Sequence, residues 1–212
     1  MTSGAYSGFE ASIKDADQLF ALYEKERLAA APIVPEEIEV LKRAALILSV
    51  TAWETYLEDF LREKFLPLLG AAAQPSDIQS AFNTVAAKWI DNNRGTLQNT
   101  LSDWTGDGWK GKIRAYFNEQ IAVLNTPNSE NCSRLFKVFL RVELKDYWKW
   151  RGYNSAQAAS RLDAIISVRG KVTHVARKAI SSAPAKHIVS RADIESYIRF
   201  IKEITLATDR IH

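Results

Sequence analysis

Arg169 and His174 bracket the stretch Arg169-Gly170-Lys171-Val172-Thr173-His174, and these two side-chain types at close range are the parts of a metal-free RNA-cleaving site. The guanidinium is a permanent cation whose planar fork of donors suits a phosphate, and imidazole exchanges protons near neutral pH. A neutral His174 can take the proton from a ribose 2′-hydroxyl while Arg169 holds the scissile phosphate and the charge that grows on it. The hexapeptide alone is a short pattern, and a helix end with a solvated arginine and a packed histidine has the same letters.

The spacing also sets a geometric condition. On an unbroken helix, positions five apart lie about 140° around the axis, so the two side chains would not face one substrate. One solution is a distorted turn at Gly170, next to the weak helix formers Val172 and Thr173. The other is a second copy of the chain about a two-fold axis, with the arginine of one subunit near the histidine of its partner.

Around the motif the chain is basic. Residues 167–212 hold 9 Lys/Arg against 4 Asp/Glu, whereas residues 1–70 hold 7 against 12, beneath a net charge of only +3. Lys171, Arg177, Lys178, Lys186 and Arg191 form a candidate field for a polyanion, with a solvated helical surface as the plainer reading. With Thr173, the residues Lys171, Arg177 and Lys178 are the candidate RNA contacts. Cys132 is the only cysteine, which rules out an internal disulfide, and only His174, His187 and His212 could join it around zinc. No metal and no cofactor is expected, and Cys132 is expected to be a small buried side chain. Phosphate loops of the Walker type, dinucleotide fingerprints and His-Glu-x-x-His are absent. Ser160 and Ser167 lie near His174 without a nucleophile elbow. His187 is expected at a surface or cap, and His212 in a mobile terminus.

The elements that must carry this motif are helical. The 212 residues, 47% of them hydrophobic, suffice for one all-α domain over 1–212. No apolar run is long enough to cross a bilayer and the start lacks a signal-peptide pattern, so a cytoplasmic protein is expected. Three-and-four spacing predicts a helix from Ala11 to Leu28. A second begins after Pro35 with Glu36 and Glu37 and runs to about Phe65, ahead of Pro67. Its middle, Ala44 to Trp53, is apolar almost all round, which makes it the central element. Glu54 follows on that element between Trp53 and Tyr56, and it needs a partner, such as Arg169, or exposure to water.

Further helices are predicted within 75–101, broken at Asp91-Asn92-Asn93, then through Ile113 to Leu124, then Leu135 to Val142. Trp104 and Trp109 bracket a turn-rich loop, either as a platform for bases or as a pin holding the loop to the core. Tyr147-Trp148-Lys149-Trp150 reads as an aromatic anchor before a break at Gly152. Asn154 caps the helix that leads through Ala158, Leu162, Ile165 and Ile166 into Arg169. Ser181 to Pro184 is a connector, and Ser190 with Asp193 has capping-box spacing ahead of a last helix through Ile194 to Thr205.

Taken in order, Leu46 to Glu58, the turn Leu124 to Asn131, Leu135-Phe136, the tryptophan at 148 and the run Leu162 to His174 resemble the HEPN superfamily, in particular its RiboL-PSP-HEPN branch. The resemblance covers about residues 36–205. It implies a HEPN-type helical bundle with a core of four main helices plus additional helices, usually a homodimer. Active members are metal-independent endoribonucleases, in which the arginine and histidine occupy a cleft at the dimer interface. Carried over, Arg169 would stabilise the scissile phosphate, His174 would serve as general base or acid, and Glu54 would orient Arg169. Where active relatives often have a polar side chain after the arginine, this chain has Gly170. Other members of the superfamily are non-catalytic modules that bind nucleotide or RNA or assemble with proteins. The resemblance suggests bacterial defence and stress settings, with an antitoxin or another regulatory protein as partner.

Overall fold

The computed structural model describes residues 2–30, 36–92, 104–178 and 189–211, without the side chains of 36 and 174–178. The expectations for Pro32, Pro35, Leu97, Leu101, Ser181 to Pro184, Lys186, His187 and His212 lie outside these residues. Seven α-helices are described: α1 Gly4–Ala29, α2 Glu39–Ala71, α3 Gln79–Asn92, α4 Gly108–Ala122, α5 Ser129–Leu140, α6 Ser155–Lys178 and α7 Arg191–Thr208. No strand occurs among the described residues. The architecture is all-α, as the helical periodicity predicts.

The hub is α2. Leu46, Val50, Trp53, Tyr56, Leu57, Phe60, Leu61, Phe65 and Leu69 are all fully buried, which requires neighbours over most of the helix surface, while Thr51, Thr55 and Asp59 form an exposed stripe. Phe60 stacks on Phe136 of α5 at 5.8 Å, and Phe65 meets Phe117 of α4 at 5.0 Å and Phe139 of α5 at 4.9 Å. The α1 and α7 helices cover other faces of α2. The two ends of the chain close on α2 through one carboxylate: Asp209 accepts from Ser3 N at 3.1 Å, from the Ser3 hydroxyl and from the Tyr56 hydroxyl at 3.3 Å. Burial, together with the nearby Asp209 charge, pushes the Tyr56 hydroxyl up, so it stays protonated and able to donate.

Two predicted helix ends are corrected. The α1 helix starts at Gly4 rather than Ala11, because Ser3 caps it, its Oγ accepting from Tyr6 N at 3.0 Å. The α2 helix does not stop before Pro67 but runs through it to Ala71. Pro67 is exposed, so its ring points to water, while Phe65 and Leu69 on either side are fully buried. Their burial offsets the hydrogen bond that proline cannot make. Two smaller shifts concern α4, which begins at Gly108, and α5, which stops at Leu140. Arg141 adopts a left-handed φ of 58°, and Val142 N returns to Phe136 O at 3.3 Å.

The tryptophan loop is a pin. Trp109 is buried, and Trp104 stands edge-on to Phe82 at 5.7 Å and to Trp89 at 5.3 Å, fastening α3 to the start of α4. The aromatic anchor is also present, with Trp148 fully buried 6.5 Å from Trp53 and Gly152 at φ 93°. Replacing Pro67 with alanine restores the missing donor on a helix that is already formed on both sides of it. Pro67→Ala is therefore expected to stabilise the protein by about 1–3 kcal/mol. Urea unfolding checks this, and a loss of stability would mean that the last turn of α2 needs the proline.

Candidate functional site

The helix that carries the motif is fixed at its start and along its inner face. Asn154 Oδ1 accepts from Gln157 N and Gln157 Oε1 from Asn154 N, both at 3.0 Å, a reciprocal cap. Asp163 accepts from Ser129 N at 2.7 Å and from its hydroxyl at 2.8 Å, tying α6 to the first turn of α5. Sequence reading missed this tie, since the partners are far apart in the chain and neither stands in a recognisable local motif. Leu162, Ile165, Ile166 and Val172 are buried on the inner face.

Of the two geometric solutions, the distorted turn at Gly170 is not present: α6 is continuous from Ser155 to Lys178. Core packing of Val172 overrides its weak helix propensity. Thr173 donates its hydroxyl to the carbonyls of Gly170 at 2.9 Å and Arg169 at 3.2 Å, staying within the helical pattern. Residues 169 and 174 therefore occupy positions about 140° apart on one regular helix. Position 169 shares its side with the buried 162, 165, 166 and 172. Position 174 falls on the side of 163, 167 and 170, where Asp163 and Ser167 are exposed and a Cβ at Gly170 would meet nothing within 4 Å.

Facing inward, Arg169 reaches α2. Its Nη2 lies 4.0 Å from Glu54 Oε2, with side-chain exposures of 26% and 16%, the contact expected from the isolated carboxylate on an apolar helix. At that separation the pair is loose, and Arg169 Nε is buried without a hydrogen-bond partner. The result is an oriented cation with unused donor capacity at the edge of the core, a setting that favours an arriving anion. Burial pushes the Glu54 carboxyl up, Arg169 pulls it back and Glu58 pushes it further up. Glu58 is itself raised by burial.

The remaining candidates separate clearly. Lys171 is exposed and Thr173 half-buried. For His174, Arg177 and Lys178 only the helical backbone is described. Arg191 is already paired, with Glu24 at 2.8 Å and Glu195 at 3.6 Å, so a polyanion would meet it partly neutralised. Cys132 is fully buried, and burial first, then the Asp163 and Glu54 charges, push its thiol up, which leaves it an unreactive packing residue. Among the described residues no cluster of His, Cys, Asp or Glu could hold a metal ion, and no helix is long and apolar enough to cross a membrane. A cleft of about 370 Å³ between the end of α2, α3 and α5, lined by Leu68, Ile78, Phe139 and Arg141, contains none of the motif residues.

The fold is that of a HEPN-type helical domain. The RiboL-PSP-HEPN family model matches residues 10–211, and the chain belongs to that family. No curated protein and no solved structure matches the chain.

The Glu54 carboxyl provides a pH test. The unfolded chain releases this proton at the ordinary carboxylate value, and the folded protein only at higher pH, so ionisation costs folding stability as pH rises through that window. Urea unfolding at a series of pH values is expected to show Glu54→Gln gaining on the wild type from acid to neutral pH. The opposite trend would mean that attraction to Arg169 outweighs burial.

Proposed function

We propose that this protein is a metal-independent endoribonuclease whose site is built from Arg169 and His174, with Glu54 positioning the arginine. The observation that carries the reading is the state of Arg169: held by the core, turned toward a single loosely placed carboxylate, and short of a partner at Nε. In this reading His174 as base takes the proton from a 2′-hydroxyl, and the 2′-oxygen attacks the adjacent phosphorus. Arg169 binds the non-bridging oxygens as negative charge builds on them. The bond to the 5′-oxygen breaks, and that oxygen leaves as a hydroxyl after accepting a proton, which His174 acting as acid can supply. The products are a 2′,3′-cyclic phosphate and a 5′-hydroxyl.

A continuous α6 supports the two-subunit version of this site. With positions 169 and 174 on different sides of one helix, a homodimer that faces two motif helices across a two-fold axis places the arginine of one copy near the histidine of the other. Lys171, Thr173, Arg177 and Lys178 are proposed to flank the RNA on the same helix. Glu54 neutralises part of the Arg169 charge until a phosphate displaces it. Family membership is consistent with RNA as ligand and with control by a protein partner.

One observation favours a second reading, a binding or assembly module without catalysis: Gly170 gives the motif no polar side chain beside the arginine. Incubating the purified protein with mixed RNA in EDTA separates the two. An endoribonuclease is expected to cut RNA and leave DNA intact, to ignore the chelator and to leave cyclic phosphate ends. Arg169→Ala and His174→Ala are each expected to lower kcat/KM by about a hundredfold or more while the far-UV spectrum is unchanged. Equal cleavage by His174→Ala and the wild type would remove the enzymatic reading.

A further inference from the structure

We propose that the turn between α5 and α6, with the outer face of α7, is a second surface for single-stranded RNA, separate from the motif. The proposal rests on RNA being the ligand of this protein, and not on catalysis. Residues 145–153 read Lys-Asp-Tyr-Trp-Lys-Trp-Arg-Gly-Tyr. Alternate aromatic side chains in this run are fixed to α7. Trp148 Nε1 donates to Thr208 Oγ1 at 2.9 Å, Trp150 Nε1 donates to Glu203 Oε2 at 3.0 Å, and the rings of Trp150 and Tyr153 pack on Phe200 at 5.7 and 5.3 Å.

With the tryptophans turned inward, Lys145, Tyr147, Lys149 and Arg151 are left exposed, Tyr147 at 37%. Arg199 on α7 and Arg210, just beyond its end, are also exposed, and Arg199 shares a helix face with Glu203 four residues on. None of these five cations forms an ion pair with a carboxylate among the described residues, unlike Lys137, Arg191 and Lys202, which do. Asp146 is the one exposed acid of the run, against Lys145, Lys149 and Arg151, and the other nearby acids are engaged. Glu203 accepts from Trp150, Glu143 is bound by Lys137, and Asp209 is turned inward to Ser3 and Tyr56.

Uncompensated cations around one exposed aromatic ring fit a strand that offers phosphates at intervals and a base to stack. They do not fit a lipid surface, which calls for a wider apolar face than Tyr147 and the half-exposed Leu206 provide. Along α6, Arg169 lies about 21 Å from Ser155, so this surface engages a different part of the strand from the motif.

The test uses the full chain and a fluorescent, 2′-O-methylated single strand of about 20 nucleotides, which cannot be cleaved by 2′-oxygen attack. Binding is measured between about 50 and 200 mM salt. Lys149→Gln/Arg151→Gln is expected to weaken binding and to reduce the salt slope by about 1.4, for two lost phosphate contacts. Tyr147→Ala is expected to weaken binding about fivefold or more at an unchanged slope. Affinity and slope equal to wild type in the double variant would overturn the proposal. So would competition by polyglutamate as effective as that by RNA, which would assign the surface to an acidic protein. Because the readout is binding of an uncleavable strand, a failure of the nuclease reading leaves this result interpretable.

Discussion

Burial of one side of α6 against the bundle decides where the motif can act. Leu162, Ile165, Ile166 and Val172 are all within the core, and side chains of this kind gain about 1.5–3 kcal/mol each on full burial. A glycine within the helix costs about 1 kcal/mol, so packing holds α6 regular through Gly170. Regularity then assigns sides. Arg169 goes inward with the core residues and meets Glu54, whereas position 174 goes to the side of Gly170 and Ser167. The same packing that orients the arginine therefore separates it from the histidine position, which is why the proposed site combines the arginine of one copy with the histidine of another.

The electrostatics of the pair suit a cation that waits for an anion. A tight Arg-carboxylate fork would be a competitor for phosphate, because two parallel charge-assisted hydrogen bonds would have to break first. Here Glu54 sits 4.0 Å away and burial opposes its charge. The contact gives Arg169 a direction while leaving its donors open. Glu54 itself is placed by its neighbours on α2: Trp53, whose Nε1 donates to Pro127 O at 3.1 Å, and Tyr56, which is tied to Asp209.

Much of this arrangement is legible in the sequence because it is periodic or local. The apolar stretch from Ala44 to Trp53 identifies the central helix, Asn154 and Ser190 identify two helix starts, and Glu54 on an apolar element calls for a partner or exposure to water. What is not legible is set by distant contacts. The early start of α1 is marked by a cap at Ser3 whose hydroxyl also binds Asp209 at the far end of the chain. Pro67 reads as a stop because local rules cannot count the burial of Phe65 and Leu69. Gly170 reads as allowing a distorted turn for the same reason, since local rules cannot count the packing of Val172. Arg191 looks like part of a basic field until Glu24, on a helix distant in sequence, is found beside it.

The most direct test of the central claim mixes two inactive variants. Arg169→Ala and His174→Ala subunits are unfolded together, refolded and assayed for RNA cleavage beside each variant alone. In a two-fold dimer whose sites each combine one arginine with the partner's histidine, half of the dimers are mixed and each of those regains one of two sites. About a quarter of wild-type activity is then expected. A mixture as inactive as its components, while the refolded wild type cleaves RNA, would contradict a shared site and place the chemistry elsewhere.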